Sequence, residues 1–471
     1  MKTRTEISKA VLDHYRCPAE FAEVTYSEPS GIAGYFRFGH GATCYGRLAE
    51  GQTSASADRR LLESVKPGRS NLPFSPDEVV DNLRHERYVG QQSSGWRQGL
   101  KRMVREIYYF FRPVLPVNLR KHLQRASLSR RNGEGFPTWP VDSTVESILQ
   151  TVTAGSLHNN GIKGFPFIWF WPNGHSACSI MTHDVETEAG RDFCSELMDI
   201  DDSFGIKASF QVVPLERYEV SRAFLQDIRN RGFEVNVHDL NHDGHLYRDH
   251  KQFRERAARI NSYLQEFGTQ GFRAAVLYRN LDWYSELACA YDMSVPNVGR
   301  LDPQPGGCCT VMPYFVGDIL EIPVTATQDY SLFNILGTYS IELWQQQISR
   351  IMEQNGLVSF IVHPDYLDSE RAKAAYSALL EHLASLRDRA GLWITLPREL
   401  NKWWRQRSRM ELVRTGDQWR IEGEGSERAC LAYATLADGK LTYSLANSSL
   451  DTQSGAGAAV GADSANASLE C

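Results

Sequence analysis

The sequence lacks the features of three common protein classes. No stretch approaches the roughly 18 to 20 uncharged apolar residues of a membrane-spanning helix, and the segment Met1–Phe21 lacks the apolar run of a secretory signal. The nine cysteines are an odd number without a Cys-x-x-Cys pair, so we expect reduced thiols and no disulfide framework. With 51 basic and 57 acidic residues, the net charge of −6 gives no overall positive field for nucleic acid. We therefore expect a cytoplasmic protein that neither spans a membrane nor binds nucleic acid.

What the sequence does contain is typical of globular domains. Hydrophobic residues make up 42% and aromatic residues 11% of the 471 positions, which excludes disorder for most of the chain. This length leaves room for about three domains of roughly 150 residues. Changes in composition predict five parts: a β-rich N-terminal module (1–72), a basic helical region (73–150), a periodic α/β region (151–405), a small β module (406–450) and a disordered Gly/Ala/Ser tail (451–471).

Positive charge is concentrated in one segment of this otherwise acidic chain. Residues 97–131 contain ten Lys or Arg and one acidic residue, Glu106, for a local net charge of +9. The same segment contains the aromatic run Tyr108–Phe111. Basic residues beside aromatic ones can hold a protein at an anionic membrane surface. Two interpretations stay open: peripheral contact with a membrane, or an amphipathic linker that packs on the main domain.

Between residues 165 and 405, short apolar runs alternate with helix-length amphipathic segments, as in parallel α/β folds. We predict an α/β fold, a distorted (β/α)7 barrel with small β-rich and helical accessory regions at both ends. In such barrels the catalytic residues lie at the C-terminal ends of the strands. The predicted strands are Ser179–His183, Ala208–Val213, Phe233–Val237, Phe272–Leu277, Ile319–Val324, Val358–His363 and Leu392–Leu396. The predicted helices are Arg191–Phe204, Glu219–Arg231, Lys251–Phe267, Ile341–Gln354 and Ala372–Arg389.

Side chains that can bind metal or transfer protons lie in or at the ends of four predicted strands. They are Asp184 and Glu186, His238 and His242, Arg273, and His363. Two neutral imidazoles and a carboxylate form the open three-ligand set with which proteins hold a catalytic divalent metal. The sequence therefore predicts a metal site at this end of the barrel.

In order and spacing, these motifs resemble those of the NodB-type polysaccharide deacetylases, carbohydrate esterase family 4. The resemblance covers residues 177–400, about half of the chain. The family's Thr-Phe-Asp-Asp-Gly motif is similar to the string Thr-His-Asp-Val-Glu at 182–186, which places the catalytic base on Asp184. The family's metal-ligand Asp falls on Val185, which cannot bind metal. A related branch, which includes the lipid-linked formamido-arabinose deformylase, looks like Asp-Val-Asp here, so the resemblance moves the ligand role to Glu186.

The remaining motifs of the family match in part. Its His-Ser/Thr-x-x-His motif is similar to His238–His242, with both metal histidines kept and an Asp in place of Ser/Thr. Its Arg-x-Pro string resembles Arg-Ala-Ala at 273–275, which implies that Arg273 orients the base. Its Leu-x-His motif is similar to the Ile-Val-His string that ends at His363, which implies that this histidine is the catalytic acid. The aspartate that supports the acid in the family has no clean match, and two candidates stay open: Asp302 and Asp329.

The resemblance implies a hydrolase that removes an acetyl or formyl group from the nitrogen of a sugar or glycan precursor. A divalent metal, with zinc the expected ion, would be held by His238, His242 and Glu186. The expected partner is a carbohydrate or a lipid-linked sugar. Two alternatives stay open: a metal-independent C–N hydrolase of a nonsugar amide on the same scaffold, and a noncatalytic carbohydrate-binding protein. The sequence leaves the oligomeric state open.

Overall fold

The computed structural model describes residues 2–39, 41–50, 64–65, 71–89 and 135–446. The predicted basic segment 97–131 and the predicted tail 451–471 lie outside these described residues, so their predictions stay untested. In the described part of the chain, no helix is long and apolar enough to cross a membrane.

The described residues of the N-terminal part form two small sheets and three α-helices. One sheet is an antiparallel pair, and in the other the central strand pairs antiparallel with one neighbour and parallel with a short third strand. Two helices begin at serine caps: the hydroxyls of Ser8 and Ser75 accept backbone N–H bonds from Val11 and Glu78. The elements are β1 (Thr3–Ile7), α1 (Lys9–Tyr15), β2 (Glu23–Ser27), β3 (Ser30–Phe38), β4 (Ala42–Leu48), β5 (Ser64–Val65), α2 (Pro76–Arg84) and α3 (Thr144–Asn159).

After one further strand, β6 (Gly164–Ile168), the chain forms a curled sheet of nine strands. Its order is β12-β13-β11-β10-β9-β8-β7-β14, and β15 pairs with the first half of β7. All neighbours are parallel except the β12–β13 hairpin. The strands are β7 (Ala177–Val185), β8 (Ala208–Val212), β9 (Glu234–His238), β10 (Gly271–Arg273), β11 (Tyr291–Asp292), β12 (Tyr314–Val316), β13 (Ile319–Glu321), β14 (Leu357–Val362) and β15 (Leu392–Thr395).

Five helices lie between these strands, and the apolar core between helices and sheet is large. They are α4 (Glu188–Ser203), α5 (Arg222–Asn230), α6 (His250–Phe267), α7 (Glu342–Met352) and α8 (Glu370–Ala390). Each predicted strand and helix of the barrel overlaps one of the observed elements. The α/β class and the parallel arrangement are therefore confirmed.

The sheet differs from a regular seven-stranded ring in two respects. It contains two further short strands, β11 and β12, and β13 does not pair with β14. That gap is bridged by the segment after β13, where the amide of Ala326 donates to the carbonyl of Ser359 at 3.1 Å. The fourth predicted strand, Phe272–Leu277, is too long: β10 ends at Arg273 because Val276 and Leu277 have positive φ angles, which a strand does not allow.

Up to residue 446, the C-terminal part contains one α-helix and four short strands. The last two strands join β6, which lies outside the barrel sheet although it falls within the predicted barrel region 151–405. Phe165 and Phe167 of β6 pack edge-on against Tyr15 of α1, which explains why this strand belongs to the accessory part. The five-part division of the chain otherwise stays a prediction. The elements are α9 (Pro397–Arg409), β16 (Glu411–Thr415), β17 (Gln418–Glu422), β18 (Leu431–Ala437) and β19 (Lys440–Leu445).

A second apolar core joins the accessory elements to the barrel. It contains residues of α1, α2, α3, β6 and β18 together with inward-facing residues of the barrel strands, such as Ile180, Tyr291 and Leu357. The accessory part therefore packs against the barrel interior and leaves the C-terminal strand ends to the candidate site.

Candidate metal and catalytic site

Side chains of β7, the first strand of the barrel, alternate between the interior of the barrel and the helix layer outside it. Successive residues of a strand point to opposite faces, so Asp184 points inwards and Glu186 follows on the same side. Val185 faces the helix layer and is fully buried in the outer core. His183 also faces outwards, where its Nε2 lies 3.0 Å from Asp201 Oδ2. A spacing of two residues therefore brings both carboxylates to the site and keeps Val185 out of it.

Three predicted ligands converge at the ends of β7 and β9. Glu186 Oε1 lies 2.8 Å from His242 Nε2 and 3.7 Å from His238 Nε2. The three ligand atoms all lie within 4.8 Å of one another. Nδ1 of His238 lies 3.1 Å from the carbonyl of Arg273, which fixes the proton on Nδ1 and leaves the lone pair of Nε2 for a metal. Within the described ranges neither Nε2 atom makes a well-aligned hydrogen bond, and the near neighbours of both are carboxylate oxygens, so this donor set fits a divalent cation.

The two histidines meet through a bent loop and not through a helical turn. Asp239 and His242 both have φ angles of +54°, a conformation that L-residues rarely adopt. Arg217 braces this loop from the end of β8. Its Nε donates to the carbonyl of Asn241 at 3.1 Å, and its Nη2 donates to the carbonyl of His242 at 2.5 Å. The ring centroids of the two histidines are 4.9 Å apart as a result.

Asp184 is held by the buried guanidinium of Arg273. Nη1 of Arg273 donates to Asp184 Oδ1 at 2.6 Å and to Thr182 Oγ1 at 2.7 Å. Oδ2 of Asp184 faces the ligands and lies 3.7 Å from His238 Nε2. Burial alone would raise the pKa of Asp184, but Arg273, with smaller contributions from His238 and His363, lowers it below the ordinary value. The carboxylate is therefore ionised, with one oxygen directed into the site.

His363, at the end of β14, is oriented by Asp329. Nδ1 of His363 lies 2.7 Å from Asp329 Oδ1, and its backbone amide donates to Oδ2 of the same residue at 2.7 Å. Nε2 of His363 lies 3.5 Å from Glu186 Oε1. Burial would lower the pKa of His363, but Asp329 and Glu186 outweigh it and raise the pKa well above its usual range. Of the two candidates for the supporting aspartate, Asp329 contacts His363, whereas Asp302 accepts a bond from Gln328 at 3.0 Å.

The ligand positions are themselves oppositely charged. Burial would raise the pKa of Glu186, but His242 above all lowers it well below its ordinary value. Burial would lower the pKa of His242, and Glu186 raises it instead. A metal must displace the proton on His242, so we expect metal affinity to rise with pH in the range where this histidine titrates.

All six predicted side chains meet at one end of the barrel, and their roles stay predictions. Sequence reasoning missed two neighbours. The ring centroid of Tyr366 lies 4.9 Å from that of His363, and the ring of Tyr330 lies 5.4 Å from Tyr366. Tyr330 directly follows Asp329, and Tyr366 directly follows the His363–Asp365 string, so their position in the chain was the only available signal. Arg217 gave no signal, because its role depends on a contact with the next loop.

Comparisons with known proteins find likeness in structure only. No protein-family model matches the chain, and no curated protein matches it. A putative polysaccharide deacetylase from Mycobacterium smegmatis is 19% identical with a TM-score of 0.42, over 53% of this chain and 98% of that one. The allantoinase PuuE is 13% identical with a TM-score of 0.40, over 50% and 92%. A family 4 acetyl xylan esterase from Clostridium thermocellum, in complex with a cobalt ion, is 16% identical with a TM-score of 0.32, over 48% and 91%.

Proposed function

We propose that this chain is a metal-dependent hydrolase that removes an N-acyl group, acetyl or formyl, from a sugar or glycan precursor. The observation that carries the proposal is the meeting of a three-ligand set with two separately held proton-transfer groups. Glu186, His238 and His242 supply the ligands. Asp184 and His363 lie beside them, and each is fixed by a partner of opposite charge. Structural ion pairs alone do not require two imidazoles to converge on one carboxylate oxygen between two such groups.

The ligand set suits zinc or a similar cation. Glu186 Oε1 and the Nε2 atoms of both histidines would hold the ion, and three protein ligands leave a position open for water or substrate. A bound ion of this kind lowers the pKa of a water and polarises a carbonyl oxygen. The remaining chemistry belongs to the side chains of the chain itself.

Asp184 is placed to act as the general base. Its Oδ1 is occupied by Arg273, so Oδ2, which faces His238, is the atom that accepts the proton of the attacking water. Arg273 keeps this carboxylate ionised and fixes its rotation. Since Arg273 is fully buried, solvent does not screen the pair.

His363 is placed to act as the general acid. Asp329 holds its Nδ1, and Nε2 is therefore the atom that gives a proton to the leaving nitrogen. Water adds to the acyl carbon and the C–N bond breaks, so the acyl group leaves as acetate or formate and the nitrogen as an amine. Opposite pKa shifts at Asp184 and His363 give the base and the acid their required charge states at one pH.

The test is release of acid and amine by the full chain loaded with zinc. A panel of N-acetylated oligosaccharides, nucleotide sugars, lipid-linked N-acyl sugars and nonsugar amides would be assayed for acetate or formate and for free amine. The proposal expects equal amounts of both products from an N-acyl sugar, and loss of release in Asp184→Asn. Asp282→Asn, an exposed aspartate on the loop after β10, is the matched control.

Other outcomes separate the alternatives. Release from nonsugar amides that survives removal of metal would favour the metal-independent hydrolase. Binding of sugars with no release from any compound would favour the noncatalytic protein. Membrane contact through residues 97–131 stays a separate prediction, tested by sedimentation with anionic vesicles at low and high salt.

A further inference from the structure

The segment that follows β10 has a strained backbone. Val276 and Leu277 have φ angles of +61° and +53°, and valine is β-branched, which makes this conformation especially unfavourable. Such strain persists only where the surrounding structure holds it. The contacts of residues 274–280 therefore indicate what holds this segment and what it serves.

This segment contacts two elements that carry residues of the candidate site. Leu277 packs with Val324 and Ile361 in a small apolar cluster, and Ile361 lies two residues before the predicted acid. On its other side, Tyr278 lies close to Gly244 of the loop that carries the second metal-ligand histidine: a Cβ at Gly244 would stand 3.6 Å from the Tyr278 ring. The segment therefore lies between the loop that carries His242 and strand β14, which leads to His363.

A buried ion pair from the accessory part holds the strained residues. Arg279 donates from Nε to Glu86 Oε2 at 2.6 Å and from Nη2 to Glu86 Oε1 at 2.5 Å. Its Nη1 donates to the carbonyl of Leu277 at 2.8 Å. Glu86 is 8% and Arg279 4% exposed, so neither charge has water as a substitute partner. The guanidinium of Arg279 therefore connects Glu86 directly to Leu277, which has a positive φ angle.

Glu86 also accepts a hydrogen bond from a second loop at the same end of the barrel. The amide of Gly307 donates to Glu86 Oε1 at 2.5 Å. A Cβ on the neighbouring Gly306 would lie 2.3 Å from that oxygen, so the pair of glycines permits the close approach. Residues far apart in sequence are thereby locked together beside the site.

We propose that Glu86 is a positioning residue for the catalytic end of the barrel. Through Arg279 it holds residues 274–280 as a wall of the active site, so the accessory part completes a site whose ligands and proton-transfer groups all come from the barrel. The catalytic consequence rests on the proposed function, whereas the effect on the wall itself does not.

The experiment separates positioning from stability. Glu86→Gln alone leaves a buried unpaired guanidinium, which can unfold the protein. The double variant Glu86→Gln/Arg279→Met removes both charges and keeps the side-chain volumes similar. Glu86→Asp keeps the charge but has a shorter side chain. It replaces the double variant in the measurements if the double variant does not fold. The control is Glu78→Gln, because within the accessory part Glu78 accepts bonds from Arg47 on both oxygens, from Nε to Oε1 at 3.0 Å and from Nη2 to Oε2 at 2.8 Å.

Two measurements are made on the zinc-loaded full chain, with melting temperature as the check on folding. Amide hydrogen exchange of residues 274–280 is expected to accelerate at least about tenfold in the double variant, and less in Glu86→Asp. Acetate release from tri-N-acetylchitotriose is expected to fall by about tenfold to a hundredfold in kcat/KM at unchanged metal content. Glu78→Gln is expected to leave both at the wild-type level.

The proposal would be overturned if the folded double variant, or Glu86→Asp in its place, showed wild-type rates of amide exchange in residues 274–280. Wild-type kcat/KM in that variant would likewise reduce the pair to a structural contact. If the wild-type chain releases no acetate, the proposed function fails for this probe. The exchange measurement still decides the positioning role in that case.

Discussion

Two layers of the barrel interior can be compared directly, because strand β9 contributes His238 to one and Glu234 to the other. These side chains lie four residues apart on the same face. In the catalytic layer, cations lower the pKa values of Asp184 and Glu186 although burial opposes it. In the layer below, burial raises the pKa of Glu234, whose partners are Tyr291 Oη, the Asn236 amide at 2.6 Å and the backbone amide of residue 398 at 3.0 Å.

Asp184 and Glu234 are each 3% exposed, so burial does not identify the functional carboxyl group. What differs is the partner. A cation beside a carboxylate, as Arg273 beside Asp184, keeps it ionised for proton transfer. Neutral donors satisfy the oxygens of Glu234 without holding its charge. The comparison predicts that equivalent amide substitutions in the two layers have very different effects.

The largest expected difference is in turnover. Asp184→Asn and His363→Ala should each lower kcat/KM by about a hundredfold to ten-thousandfold at unchanged metal content, because each removes a proton-transfer group. Glu234→Gln should lower it by less than about tenfold, below the range for such groups. Steady-state kinetics on the zinc-loaded chain checks this. A loss below about fivefold in both catalytic variants would remove the assigned roles.

The next effect is on metal affinity. His238→Ala should weaken zinc binding by more than the roughly tenfold to hundredfold cost of disturbing a partner of a ligand, since it removes the ligand itself. Glu186→Gln should weaken it as well, and it tests the ligand position that replaces the usual one at Val185. Competition with a chromophoric chelator measures both. His245→Ala, an exposed histidine of the same loop, should bind as the wild type does, and equal affinity in all variants would refute the ligand set.

A smaller effect is expected on the pH profile. Asp329 raises the pKa of His363, and a general acid acts only while protonated, so activity should fall as pH rises through that pKa. Asp329→Asn should lower this pKa and move the alkaline limb of the profile to lower pH. Asp302→Asn, which changes the partner of Gln328, is the control. An unshifted limb in Asp329→Asn would contradict the assignment of the acid.

The smallest effect concerns stability, and its sign differs between the layers. The pKa of Glu234 is raised above its ordinary value of 4.5, so its stabilisation is present below the unfolded-state pKa and lost as pH rises through the folded-state pKa. Glu234→Gln should therefore reduce the loss of unfolding free energy as pH rises above the ordinary pKa of 4.5. Asp184 has a lowered pKa, so Asp184→Asn should instead reduce the loss as pH falls below the ordinary value of 3.8. Urea unfolding over both pH ranges checks the two signs.

The sequence predicted the parts of the site that follow from strand periodicity. Asp184 and Glu186 are two residues apart at a strand end, and alternation alone puts them on one face. His363 and the histidines of β9 also lie at strand ends, where the chain leaves the sheet. The barrel class followed from the same alternation of apolar runs and amphipathic helices.

The parts that were missed or left open depend on contacts between distant residues or on local strain. Asp329 stayed open beside Asp302, because it lies 34 residues from His363. Glu86 and Arg279 are 193 residues apart. The positive φ angle of Val276 opposes the propensity of valine for strands, which is why the fourth strand was predicted too long.

The most direct test of the account is the anomalous diffraction of zinc in crystals of the loaded full-length chain. The account predicts one anomalous peak about 2.0 to 2.2 Å from a carboxylate oxygen of Glu186 and from Nε2 of His238 and His242. Oδ2 of Asp184 and Nε2 of His363 should face this peak from either side. A zinc ion held by other residues, or no peak at this end of the barrel in protein that binds zinc in solution, would contradict it.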